Sequence, residues 1–304
     1  MNILAKIALL LLASILISNC RVKQSDFDKI KSENNSLVQL IAKSNTNVRI
    51  KNTIVNELTS KYTGEAYDIL ISYPNNYKNS GKMYPVLVVL DAEVNFGAIS
   101  YISQRLIKDE LIPELFVVGI AYQGDTDEDS YYSLRSRDFT PTVDKVEEQR
   151  HKNKYKSGTG GAENFVKFLS FELVPYLMNN YPIMDKGKTI YGHSFGGLFG
   201  THLLINHPAL FDNYLLLSPS LWWDRKIILK NLKQNPSISS KLIKIYTGTG
   251  ALEGGMVADH LEMAHVLKKN NQDNLNIKSE ILDNETHRTI FGRGFTNGLR
   301  FLYD

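Results

Sequence analysis

The chain has 304 residues, of which 43% are apolar and 22% charged, with a formal net charge of +3. This composition fills a large core and excludes a disordered chain, and the length suits one α/β domain built on a continuous sheet. Lys and Arg are interleaved with Asp and Glu, so nucleic acid is not an implied partner, and the lone cysteine, Cys20, excludes an intramolecular disulfide framework and a cysteine zinc site.

In chain order, Lys6 precedes an apolar run from Ile7 to Ile17 that is short for a membrane span and has the length of a signal-peptide core. The run ends at Ile17-Ser18-Asn19-Cys20, which resembles the bacterial lipobox, whose cysteine is diacylated and becomes the new N-terminus. The reading predicts a lipoprotein signal peptide over 1–19, then a lipidated Cys20 and a tether over 20–47 that is rich in Lys, Asn and Ser. The protein is expected to be exported and held at a membrane through that lipid.

From residue 48 the pattern becomes strand-rich and then alternates strand with helix, predicting a mostly parallel sheet covered by helices on both faces over 48–304. Expected strands are Val48 to Leu58, Ala66 to Tyr73, Val86 to Leu90, Leu115 to Ala121, Lys188 to Gly192, Tyr214 to Leu217, Leu242 to Thr247 and Ile277 to Leu282. The runs VLVVL, LFVVGIA and YLLL do not alternate, as befits central strands buried on both sides. Helical spacing of Phe165, Val166, Phe168, Leu169, Leu173 and Leu177 predicts a helix from Glu163 to Met178, and another is expected from Phe195 to Asn206. Between them and the fourth strand, Gln123 to Gly161 lacks periodicity and reads as a long rim or lid loop.

The chemistry concentrates in KTIYGHSFGG, where a strand enters Gly192-His193-Ser194-Phe195-Gly196 and a helix leaves it. This is the G-x-S-x-G nucleophile elbow, in which glycines let the chain turn sharply and lift a serine hydroxyl above the sheet. A serine hydroxyl needs a histidine to take its proton and an acid to hold that histidine, in the chain order Ser, acid, His. Of the histidines that follow Ser194, His287 lies between the last strand and the last helix and is the expected base. His260 and His265, five apart, share no face and no zinc spacing, and read as a solvated helix surface. Glu253, after the penultimate strand, is the expected acid, with Asp259 as the alternative. The oxyanion donors are expected to be the Phe195 N–H, at the start of a helix, and the Ala92 N–H, in the turn Asp91-Ala92-Glu93. Trp222 and Trp223 are candidates for an aromatic wall beside the serine, with core packing accounting for at least one of them. No Walker loop and no dinucleotide fingerprint is present, so neither cofactor nor metal is expected.

The stretches SKYTGEAYDILISYP, YPVLVVLDAE, RSRDFTPT, GGAENFVKFLSFELVPYL, GHSFGGLFGTHLL and SPSLWWD resemble an esterase branch of the α/β-hydrolases. That branch includes bacterial siderophore esterases, acetyl- and feruloyl-type carbohydrate esterases and S-formylglutathione hydrolases. The resemblance spans Thr59 to Tyr303, and RSRDFTPT and SPSLWWD bring it nearest to the siderophore-esterase-like members. It implies an α/β-hydrolase fold acting on a small-molecule ester through an acyl-enzyme, with Ser194 as nucleophile, His287 as base, Glu253 as acid, Ala92 and Phe195 as oxyanion donors, and Arg137 lining the substrate site. Some members work with a Ser-His pair whose acid is displaced, so Glu253, Asp259 or no acid all remain open. An acyltransferase or a non-catalytic binding lipoprotein on the same scaffold is the alternative function. Guanidinium groups at Arg135 and Arg137 would fork onto a carboxylate or catecholate of the substrate, or else pair with Asp138, Asp144 or Glu147 and fix the loop.

Overall fold

Eight strands form one sheet in the order β1-β2-β4-β3-β5-β6-β7-β8: β1 Thr53–Thr59, β2 Ala66–Ser72, β3 Val86–Val89, β4 Phe116–Tyr122, β5 Thr189–His193, β6 Asn213–Leu217, β7 Ile243–Gly250 and β8 Leu275–Leu282. The computed structural model describes residues 25–26, 28–33, 50–124, 127–235, 238–269 and 274–304. The expected signal peptide and Cys20 lie outside the described residues, as does most of the tether, of which 25–26 and 28–33 are helical.

The first two pairings, β1 with β2 and β2 with β4, are antiparallel, and all later ones are parallel. Each predicted strand is present with its ends moved by a few residues. The largest shift is at β1, which begins only at Thr53 because Lys51 and Asn52 turn, with Asn52 at φ 59°. Every residue of β3, β4 and β6 is buried, which is why their apolar runs do not alternate.

Helices cover both faces. On one side Val86, Val88, Val118, Ile190, Leu216 and Ile245 meet the helices α4 (Ala162–Phe168, continued by Leu169–Leu173 and Val174–Asn180), α5 (Phe195–Asn206), α6 (Trp223–Gln234) and α7 (Gly255–Lys269). On the other, Leu87, Val89, Val117, Tyr191, Leu215 and Tyr246 meet α1 (Ala92–Lys108) and α8 (Ile290–Tyr303). Neighbouring strand residues thus feed opposite cores, as the pleat requires. In α4 the middle turn, Leu169–Leu173, is a π-turn just before Pro175, whose missing N–H cannot continue the regular ladder.

The stretch expected as a long loop contains two further helices, α2 (Glu128–Phe139) and α3 (Lys145–Arg150). Both start at an aspartate cap: Asp127 accepts from the Ser130 N–H at 2.7 Å, and Asp144 from the Val146 and Glu147 N–H groups at 3.0 and 3.1 Å. The buried side of α2 is Ser133, Arg135, Ser136, Asp138 and Phe139. A polar buried face leaves no apolar stripe, so periodicity could not reveal it.

Candidate active site

Ser194 links β5 to α5 with φ 59° and ψ −116°, a backbone region that costs about 1–3 kcal/mol for a non-glycine residue. Surrounding hydrogen bonds hold it there. Its N–H donates to the Leu217 carbonyl at 3.0 Å, and its carbonyl accepts from Ser220 at 3.0 Å and Leu198 at 2.9 Å. A Cβ on Gly192 would stand 2.2 Å from the Gly196 carbonyl oxygen, and one on Gly197 2.9 Å from Pro219 Cα, so the turn closes only because these side chains are missing.

His287 lies between β8 and α8, with Nδ1 2.7 Å from Glu253 Oε2. The Glu253 side chain is 1% exposed while the His287 ring is 38% exposed, giving a buried anchor and an accessible imidazole. The other oxygen, Oε1, accepts from Ser218 Oγ at 2.6 Å and from the Gly250 N–H at 2.7 Å. Burial alone would raise the Glu253 carboxyl, but bonds from His287, Ser218 and Gly250 outweigh it and hold the group below the usual carboxylate range. The His287 carbonyl takes a bond from His193 Nε2 at 2.7 Å. A carbonyl only accepts, so His193 carries its proton on Nε2. Burial, together with the His287 ring 4.6 Å away, pushes His193 down to about 4. Ser194 Oγ lies 3.3 Å from Ser220 Oγ and, among the described residues, makes no hydrogen bond to His287.

Ala92 and Phe195, both buried, are the first residues of α1 and α5. A first helical N–H has no acceptor within its own helix. Asp91, just before Ala92, is left-handed with φ 54° and ψ 46°. Its carboxylate is gripped by Arg135, Nε to Oδ1 at 2.7 Å and Nη2 to Oδ2 at 2.7 Å, and by the Tyr131 hydroxyl at 2.8 Å. Arg135 is buried, its guanidinium 5.4–5.8 Å from the ring centroids of Tyr131, Tyr132, Phe139 and Phe195, and Nη2 also approaches the His193 carbonyl at 3.5 Å. Burial works against its charge, but Asp91 overcomes this and raises the guanidinium pKa. Arg135 therefore touches both turns that carry the candidate oxyanion donors. Sequence reasoning named Arg135 without finding this contact; the one signal was its place in RSRDFTPT.

Several expectations change. Arg137, expected at the substrate site, donates to Asp138 at 2.8 and 3.1 Å and to Glu65 at 2.7 Å. Its guanidinium is committed to fixing the segment, the alternative that the nearby carboxylates allowed. Asp259 meets Lys226 Nζ at 2.6 Å, so of the two acids considered only Glu253 meets His287. His260 is fully buried instead of solvated, bonded through Nε2 to Ser279 Oγ at 3.0 Å, because it shares the inner face of α7 with Met263, Ala264 and Leu267. Trp223 is a core residue at 0% exposure, while Trp222 is 39% exposed with its ring 6.0 Å from that of Phe195. Trp222 also borders a cleft of about 400 Å³ lined by Val143 to Glu147, Asp224 and Arg225.

The strand order, with the serine turn after β5 and the histidine loop after β8, defines the fold as that of an α/β-hydrolase. The chain belongs to the Esterase family, described as Putative esterase, which matches residues 60–289. It is 34% identical over 212 residues to the ferri-bacillibactin esterase BesA of Bacillus subtilis (strain 168), covering 67% of this chain and 72% of that one. Among solved structures it is similar to the BES protein from Bacillus cereus, with a TM-score of 0.75, 29% identity and coverage of 86% of this chain and 99% of that one. It also resembles an IroE-like serine hydrolase from Shewanella oneidensis, with a TM-score of 0.72, 27% identity and coverage of 83% and 80%. The chain is thus an enzyme, a carboxylic ester hydrolase.

Proposed function

We propose that this esterase works through an acyl-enzyme in which Ser194 is the nucleophile, His287 the general base and then acid, and Glu253 the group that orients His287. The observation that carries the reading is the Glu253–His287 bond of 2.7 Å, anchored by Ser218 and Gly250, beside a positive-φ serine at the head of α5. Glu253 accepts from Nδ1, which fixes the tautomer that leaves Nε2 free to take a proton. In the substrate complex Ser194 Oγ must hydrogen-bond to His287, since catalytic hydrogen bonds often form only there.

Ser194 Oγ then attacks the ester carbonyl carbon while its proton passes to His287 Nε2, and the carbonyl π pair moves onto oxygen. The Ala92 and Phe195 N–H groups receive that oxyanion, aided by the start of α5. Collapse expels the alcohol, which leaves with the proton from His287. Water repeats the sequence on the acyl-enzyme and releases the carboxylic acid and free Ser194.

For the substrate we propose a siderophore ester, supported by the similarity to the ferri-bacillibactin esterase and by the exposed Trp222 ring beside Phe195, which suits an aromatic acyl group. The test is a panel of ferric and iron-free catecholate siderophores, acetylated sugars and feruloyl esters, run with wild type and Ser194→Ala. Catecholate esters are expected to give the highest kcat/KM. A clear preference for acetylated sugars would overturn the substrate reading, and activity retained by Ser194→Ala the mechanism.

We also propose that the protein is exported and anchored by lipid on Cys20, supported by the apolar run Ile7 to Ile17 ending at Ile17-Ser18-Asn19-Cys20. Cys20→Ser is expected to block processing or release the protein. Failure of the wild type to take up labelled fatty acid in its host would sink this idea.

A further inference from the structure

Away from the serine, the N-terminal turn of α4 and the C-terminal end of α5 bring three ligand-type side chains together. Glu163 is the second residue of α4, His202 lies on α5 and His207 follows its last turn. His202 Nε2 is 2.7 Å from Glu163 Oε1, and His207 Nε2 is 3.1 and 3.2 Å from the two oxygens of the same carboxylate. We propose that Glu163, His202 and His207 form a binding site for a divalent transition-metal ion of the Zn²⁺ class.

The geometry is close to what such an ion needs. All three donor atoms lie within 4.8 Å of one another. A tetrahedral ion with bonds of about 2.0–2.1 Å holds neighbouring ligands about 3.3 Å apart, so the carboxylate–imidazole spacings need to open by about 0.1–0.6 Å. Two imidazoles and one carboxylate suit Zn²⁺, Co²⁺ or Ni²⁺, whereas Mg²⁺ and Ca²⁺ favour oxygen-only shells. Access is also suitable: the His202 side chain is 7% exposed, but those of His207 and Glu163 are 34% and 53% exposed, so an ion and a water ligand can enter from solvent.

Asn206 provides the outer support that metal-bound histidines usually have. Its Nδ2 lies 3.0 Å from His202 Nδ1 and 3.2 Å from the His202 carbonyl. With an ion on Nε2 the His202 proton moves to Nδ1, and a half-turn of the Asn206 amide, which gives up its bond to the His202 carbonyl, offers Oδ1 as acceptor.

The ion would clamp α4 to the far end of the helix that begins at Ser194. His202 is eight residues beyond Ser194, about 12 Å along the axis, so the metal takes no part in the ester chemistry and acts as a brace.

The test uses untagged full-length protein stripped with a chelator, titrated calorimetrically with ZnCl₂ alone and followed by thermal unfolding. Wild type is expected to bind one ion, and a hundredfold excess over Kd to raise Tm by roughly 4–5 °C. In His207→Asn and Glu163→Gln, each changing a partly exposed side chain, affinity is expected to fall at least about tenfold and that rise, at the same ZnCl₂ concentration, to drop to about half or less, with esterase turnover retained in the metal-free state. Absence of saturable Zn²⁺ binding by wild type overturns the site. So does a Tm rise in both variants as large as in wild type, because the ion would then sit elsewhere.

Discussion

β3 and β5 are neighbours in the sheet, run parallel and end alike. Each is followed by a non-glycine residue at positive φ, Asp91 at 54° two residues past β3 and Ser194 at 59° directly after β5, and that residue passes straight into a helix. What holds the two turns differs. At Ser194 the turn depends on missing side chains at Gly192 and Gly197, and the hydroxyl keeps only a 3.3 Å contact to Ser220. At Asp91 it depends on a side chain whose carboxylate is saturated by Arg135 and Tyr131. One turn leaves its hydroxyl loosely held, while the other commits its carboxylate to Arg135 and Tyr131.

The strongest way to break this contrast is at the serine. Ser194→Ala and His287→Ala are each expected to lower kcat by about 10⁵–10⁶, and the double variant by no more, because the two groups act as a unit. The measurement is turnover of a p-nitrophenyl ester by purified enzyme; additive losses would mean that the two residues do not share a step. Glu253→Gln comes next, with a loss of up to about 10⁴ as the tautomer of His287 is no longer enforced. A loss below tenfold would leave a working Ser194–His287 pair without its acid.

At the other turn, Arg135→Met strands a buried carboxylate, which typically costs about 3–5 kcal/mol, and loosens Ala92. Denaturant unfolding reads the first effect and kcat the second. Pairing it with Asp91→Asn should recover part of the stability but not the rate. An Arg135→Met protein as stable as wild type would show that the backbone alone holds the Asp91 turn.

The smallest effect is with pH. Burial pushes both His193 and His260 down to about 4 from an ordinary value near 6.5. The unfolded chain therefore binds protons over that interval that the folded chain refuses, so stability present above about pH 6.5 is lost as pH falls toward 4. Glu253, also held below its ordinary value, acts in the same direction at lower pH. Each histidine contributes at most about 1.4 kcal/mol per pH unit. Tm measured from pH 7 to 4.5 should fall, and less steeply in His260→Gln; equal slopes would assign the titration elsewhere.

The sheet and the location of the candidate site were legible along the chain. Buried parallel strands are written as unbroken apolar runs, and VLVVL, LFVVGIA and YLLL mark β3, β4 and β6 directly. A strand–turn–helix with glycines around Ser194 is a local pattern, and chain order left His287 as the base to examine, with Glu253 or Asp259 as its acid. What the polar residues do depends on partners that folding brings together. Helix α2 buries Arg135 and Asp138 in place of leucines, so no period betrays it. Arg137 finds Glu65, His260 finds Ser279 and Asp91 finds Arg135 across gaps of 72, 19 and 44 residues. Apolar burial follows the repeat of a helix or strand and can be read along the chain, whereas an ion pair or hydrogen bond needs one partner at one distance, which only the folded chain supplies.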